Sequence, residues 1–249
     1  HWFHDQQVEV TYTRAVTLWP GKAPSLAAEQ LPKTVARLRT KEKLVLAVSG
    51  DSISQGYNAS RFTHALPAMP PYADLVAGQL RHTFGGEVVL HNRGIAGWNV
   101  VRGLEDLDAL LATRPDLIVI AYGMNDVGGR NPEAFRAGIA TMLERIAKAN
   151  PSTEVILVAT MLGNADWVHT PREMFPRYRD ALASLAGPGV ALADLTDLWQ
   201  VLLSKKREVD LTGNGVNHPN DFGHRLYAQA ILALLVDPAD RSKVKGVAP

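Results

Sequence analysis

The stretch Leu44-Val-Leu-Ala-Val48-Ser49-Gly50-Asp51-Ser52-Ile53-Ser54 decides the reading of this chain. Five apolar residues form a short strand that empties directly into a glycine, an acid and a serine. In α/β proteins the ligands gather outside the carboxyl ends of the strands, so a polar turn at that point is where a nucleophile is presented. Ser52 is the candidate nucleophile. Alone the stretch is weak, because serines after strands commonly do no more than bond the backbone of their own turn. It also departs from the nucleophile elbow G-x-S-x-G, since Ser54 stands where the last glycine should be.

Working outward, Val88–Asn92, Leu117–Ala121, Val155–Ala159 and Val190–Leu192 read as four further strands; Leu117–Ala121 is a continuous apolar run suited to burial on both faces. Between them the apolar spacing predicts helices over Tyr72–Phe84 and Val100–Leu111. A third begins at Asn131, its N-cap, with Pro132 at the first helical position, and a fourth begins at Thr170-Pro171. Phe222, Leu226, Tyr227, Ile231, Leu234 and Leu235 stripe a last helix for which Asp221 is the expected N-cap. Leu31–Leu38 reads as a short helix or loop. Strands alternating with helices call for a mostly parallel sheet covered on both sides. The long Pro-bearing loop 56–71, beside the Ser52 turn, reads as a wall of the binding site.

Residues 1–40 read as an N-terminal extension. It holds one expected β-strand over Gln7–Trp19, which would either join an edge of the main sheet or end an upstream β domain. Residues 41–240 form the main domain and 241–249 a C-terminal tail. At 249 residues and 46% hydrophobic the chain can bury a full core. Its 26 basic residues against 25 acidic ones leave no charge excess to attract nucleic acid or an anionic membrane. Lys205-Lys206-Arg207, the one tight basic run, reads as a solvated face. The absence of cysteine excludes a thiol nucleophile, disulfides and a thiolate zinc site, and no apolar run reaches the roughly 18 residues that span a bilayer. The start at His1 without an initiator methionine suggests that a leader peptide, a preceding domain or cloned sequence has been removed, the first of which would go with a secreted or periplasmic protein.

Three later stretches raise the weight of Ser52: Asn92-Arg93-Gly94-Ile95-Ala96-Gly97-Trp98, Gly123-Met124-Asn125-Asp126 and Asn217-His218-Pro219-Asn220. With Gly50-Asp51-Ser52 they resemble, in order and rough spacing, the four blocks of the SGNH (GDSL-like) hydrolases, over about Leu44 to Leu235. The resemblance implies a flavodoxin-like three-layer α/β/α sandwich on a five-stranded sheet, which the strand count matches. It also implies a Ser52 nucleophile, a His218 base just before the last helix, and an oxyanion hole from Ser52, Gly97 and Asn125.

The chemistry agrees with those assignments. Acyl transfer from an ester needs a nucleophile, a base to take its proton and donors for the oxyanion. Pro219 holds His218 extended in a loop. A glycine at 97 leaves its N–H unobstructed. The structural alternatives are plain turn glycines at 97 and 123, an Asx-turn at Asn125 and a backbone-bonding role for Asp126. His224, in the first turn of the last helix, reads as structural.

One block departs from the family pattern. The acid usual three residues before the histidine is absent, and Gly215 stands there. The expectation is a Ser52–His218 dyad backed by a backbone carbonyl or a non-standard acid, with Asp210 as a minority option.

The resemblance implies hydrolysis of carboxylic esters without a cofactor or metal. Trp98, next to Gly97, and Trp167, after the fourth strand, are candidate sugar-stacking residues, with rim or core packing as the alternative. A short-acyl esterase acting on small-molecule or carbohydrate esters, O-acetyl groups above all, is the expected function. Its rivals are an acyltransferase on the same scaffold and a catalytically dead carbohydrate-binding module. A metal centre on His218, Asp221 and His224 is the weakest option.

Overall fold

The computed structural model describes residues 19–241, so the expected strand over Gln7–Trp19 lies, except for Trp19, outside the described residues. In chain order the elements are α1 (Pro32–Arg39), β1 (Leu44–Gly50), α2 (Ser52–Gln55), α3 (Tyr72–Phe84), β2 (Val88–Asn92), α4 (Val100–Leu111), β3 (Leu117–Ala121), α5 (Pro132–Ala149), β4 (Glu154–Ala159), α6 (Phe175–Ala183), β5 (Val190–Asp194), α7 (Leu195–Leu203), α8 (Glu208–Leu211), α9 (Asp221–Leu235) and α10 (Pro238–Arg241).

The five strands are all parallel, in the order β2-β1-β3-β4-β5. β3 and β4 are buried along their whole length, as strands between two helical layers must be. Right-handed crossovers put the helix that follows β1 on one face and the helices that follow β2, β3 and β4 on the other. Accordingly α3 packs against α9, while α4, α5 and α6 pack in succession. The result is a three-layer α/β/α sandwich.

Caps follow the sequence closely. Asn131 accepts the N–H of Ala134 with Pro132 at the first position of α5, and Asn99 accepts the N–H of Arg102 to open α4. The last helix corrects an expectation. Asn220, not Asp221, is the N-cap of α9, accepting the N–H of Gly223. Asp221 is turned to the Ser60 N–H at 2.7 Å, pinning loop 56–71 to α9.

Strand order reverses at β1, so the loops after β1 and β3 diverge and leave a crevice at the carboxyl edge. Register sets its floor: Gly50 pairs with Ala121, and Val48 with both Asn92 and Val119. The Ser52, Gly97 and Asn125 segments therefore leave the sheet at about the same height.

Candidate active site

Ser52 opens α2. Asp51, extended, caps that turn by accepting the Ile53 N–H at 2.9 Å, and Gly56, at φ +110°, closes it. Ser52 is 4% exposed, and its own N–H, in the first turn, has no intrahelical acceptor. Burial, with Asp126 nearby, pushes the Asp51 carboxyl up to about 7. Buried hydroxyl pairs brace the turn from below: Ser54 Oγ with Tyr72 Oη at 2.7 Å and Ser49 Oγ with Tyr122 Oη at 2.9 Å.

The segment after β2 is sewn onto α2. The Ile95 N–H reaches the Gly50 carbonyl, Asn92 Nδ2 the Ser54 carbonyl at 2.7 Å, and the Ala96 N–H the Gln55 side chain at 2.8 Å. A side chain at Gly94 would meet the Gln55 backbone nitrogen at 2.5 Å, so the close approach requires glycine there. At Gly97 a Cβ would meet nothing, but φ is +78°. Glycine is needed there for its backbone conformation rather than for space. The Gly97 N–H has no acceptor among the described residues.

Asn125, exposed at the end of the β3 turn, donates one amide hydrogen to the Trp98 carbonyl at 2.8 Å. Its second amide hydrogen stays free to donate. Asp126 receives the N–H groups of Val100 and Gly123, both at 3.0 Å, the backbone role expected of it, and burial raises its carboxyl to about 6.

His218 stands on the loop between α8 and α9, where a bridge between Thr212 and Pro219 closes the base. Its Nε2 lies 2.8 Å from Ser52 Oγ, so the structure joins the two residues singled out in the sequence across 166 positions. Desolvation lowers the imidazole to about 4, which keeps it neutral at ordinary pH. The Tyr57 ring lies 5.1 Å from the His218 ring, tilted by 46°, and Phe62 packs on Tyr57 at 4.8 Å. Loop 56–71 thus forms a wall beside the imidazole.

Behind the ring the expectation fails. Neither a carbonyl nor an acid faces Nδ1; the side-chain amide of Asn214 does, with Nδ2 at 3.0 Å. Asp210 turns away and accepts the Arg207 N–H at 2.8 Å. Asn214 was legible only as part of a glycine-flanked run, and its reach back to His218, four residues on, depends on the turn at Gly215, φ +70°.

The two candidate tryptophans stand in different surroundings. Trp98 is half-buried against the core, and its carbonyl accepts an amide hydrogen of Asn125. Trp167 packs edge-on against His169 at 5.3 Å. Its loop is tied to the histidine loop through Asn164, whose N–H and Nδ2 reach the carbonyls of Val216 and Gly215, both at 2.8 Å. His224 is fully buried, with Nδ1 accepting the Tyr72 N–H and Nε2 on the Tyr57 carbonyl. With Asp221 also engaged, these two do not join His218 as metal ligands. Among the described residues no group of three or more metal-ligating side chains converges, and no helix is long and apolar enough to cross a membrane.

A parallel 2-1-3-4-5 sheet thus carries a hydrogen-bonded serine and histidine at its carboxyl edge, an arrangement whose groups could perform acyl transfer. The chain belongs to the GDSL-like lipase/acylhydrolase family, whose model matches residues 48–226. Among solved structures it is similar to a two-domain esterase active on acetylated mannans (23% identity, TM-score 0.66), with 92% of this chain and 56% of that one covered. This chain thus spans little more than half of that esterase. It is also similar to the acetylxylan esterase Axe2 from Geobacillus stearothermophilus (20% identity, TM-score 0.63), with 77% of this chain and 94% of that one covered. The Axe2 structures include catalytic mutants in which a serine, a histidine or an aspartate is replaced by alanine. A hydrolase from the Lake Arreo metagenome matches at 21% identity and TM-score 0.63, with 82% and 97% covered. Among curated proteins no match is found.

Proposed function

We propose that the protein is a serine esterase that removes short acyl groups, O-acetyl groups of carbohydrates above all. The observation that carries this reading is the 2.8 Å contact between Ser52 Oγ and His218 Nε2. Ser52 Oγ attacks the acyl carbonyl and its proton passes to His218 Nε2. The N–H groups of Ser52 and Gly97 and the amide of Asn125 receive the charge on the carbonyl oxygen. His218 then protonates the departing alkoxide, and water, deprotonated by the same imidazole, releases the acid from Ser52. None of these steps needs a cofactor.

Support for a carbohydrate acetate comes from two sides. The mannan and xylan esterases share the fold. The wall beside His218 is aromatic and partly open, Phe62 being 39% exposed, a surface suited to a sugar face. Hydrolysis of p-nitrophenyl acetate, butyrate and octanoate, and acetate release from acetylated manno- and xylo-oligosaccharides, by wild type and Ser52→Ala in parallel test the reading. Activity confined to short chains and abolished in Ser52→Ala is the expected result. Equal rates for the two proteins on every substrate would sink it.

A further inference from the structure

The feature of the site that the esterase reading leaves unexplained is the amide behind His218. Asn214 Oδ1 accepts three backbone N–H groups, from Val216 at 3.0 Å and from Asn217 and His218 at 3.1 Å. Those donors settle which way the amide points, because an NH2 group cannot accept three N–H bonds. Nδ2 is thereby fixed toward His218 Nδ1 at 3.0 Å and toward Asn217 Oδ1 at 3.0 Å. A donor facing Nδ1 requires a lone pair on Nδ1, so the proton of the neutral ring sits on Nε2 and points at Ser52 Oγ, 2.8 Å away.

We propose that Asn214 is a positioning residue that locks His218 in the Nε2–H tautomer, leaving the free enzyme with its base protonated on the side that must accept the serine proton. This inference rests on the Ser52–His218 reading. To act as base the ring must move that proton to Nδ1, where it would meet the Asn214 NH2. Turning the amide over would set NH2 against three backbone N–H donors. Either route raises the barrier, and neither stabilises the imidazolium formed in the transition state. Replacing an orienting aspartate by asparagine in a serine protease costs about 10⁴ in kcat for the same reason, the wrong tautomer. Here asparagine is what the sequence supplies. Asn214→Asp keeps the shape and an oxygen for the three N–H groups, and offers its second oxygen to an Nδ1–H.

The test has two arms. Nitrogen-15 NMR of the histidine side chains, with His218 assigned by loss of its signals in His218→Gln, is expected to show Nε2 protonated and Nδ1 bare in wild type, and the reverse in Asn214→Asp. Kinetics on p-nitrophenyl acetate are expected to show kcat raised roughly 10-fold or more in Asn214→Asp, within the about 10⁴ limit of the protease case, at little-changed KM. A wild-type ring protonated on Nδ1 overturns the proposal, and so does an unchanged kcat in a folded Asn214→Asp. Should that variant not fold, the wild-type spectrum alone decides. Wild-type activity equal to that of Ser52→Ala would instead overturn the esterase reading, a result separate from the NMR outcome.

Discussion

The serine side of the site and the histidine side are held by contrasting means. Ser52 leaves a central strand, opens a helical turn that Asp51 caps by accepting the Ile53 N–H, and rests on buried hydroxyl pairs inside the sandwich. His218 sits on a loop between two helices, and side chains of that loop do the holding. Asn214 collects three of its N–H groups and Asn220 Nδ2 ties it to the Asp210 carbonyl. Rigid regular structure positions the proposed nucleophile, whereas a chain of asparagine amides positions the proposed base. On the proposed mechanism the two halves should fail differently: damage on the strand side should remove chemistry outright, and damage on the loop side should change which atom carries the proton.

The contrast can be broken at several points. Ser52→Ala is expected to lower kcat by roughly 10²-fold or more with the melting temperature little changed, read by burst and steady-state hydrolysis of p-nitrophenyl acetate. Residual activity near that of wild type would mean that the nucleophile lies elsewhere. Asn125→Ala removes one oxyanion donor and should cost about 10²–10³ in kcat. A change confined to KM would demote Asn125 to a binding residue.

A pH series sharpens the histidine half. With His218 lowered to about 4 by burial, kcat/KM should hold from neutral pH to near pH 5 and fall as the pH passes through 4. The stability effect has the same sign. The unfolded imidazole takes up its proton near 6.5, so the contribution of His218 is complete above that value and is lost as the pH falls through 4. Melting temperatures of wild type and His218→Gln should therefore converge on acidification. Asp51 works in reverse. Its carboxyl is raised from 3.8 to about 7, so its contribution is complete below 3.8 and lost as the pH rises through 7. The smallest effect belongs to the cap: Asn220→Ala should destabilise by about 1 kcal/mol in urea unfolding. A loss well above about 2 kcal/mol would show that the cap holds the histidine loop as a whole and not just the first turn of α9.

Most of the sheet was legible because its strands are continuous apolar runs and its helices carry plain stripes: Tyr72–Phe84, Val88–Asn92, Val100–Leu111 and Leu117–Ala121 match the structure end to end. α7 was not, since Leu195–Leu203 begins straight after β5 with no turn residue between them. Ser52, Asn125 and His218 stand out as candidates through their blocks, and the structure brings Ser52 and His218 into contact. Tyr57 and Asn214 were not. An aromatic in a long loop and an asparagine beside a glycine have ordinary local explanations, and their contacts with His218 exist only once the loops close.

The sequence by itself determined the layer order and the residue types available for acyl transfer, because strand and helix periodicity and the chemistry of serine, histidine and amide groups are properties of short segments. Only the tertiary structure decided what stands behind the imidazole. That choice depends on a turn at Gly215 and three backbone N–H groups converging on one oxygen. Hydrogen-bond direction of this kind is set by the arrangement of donors in space, which no spacing along the chain specifies.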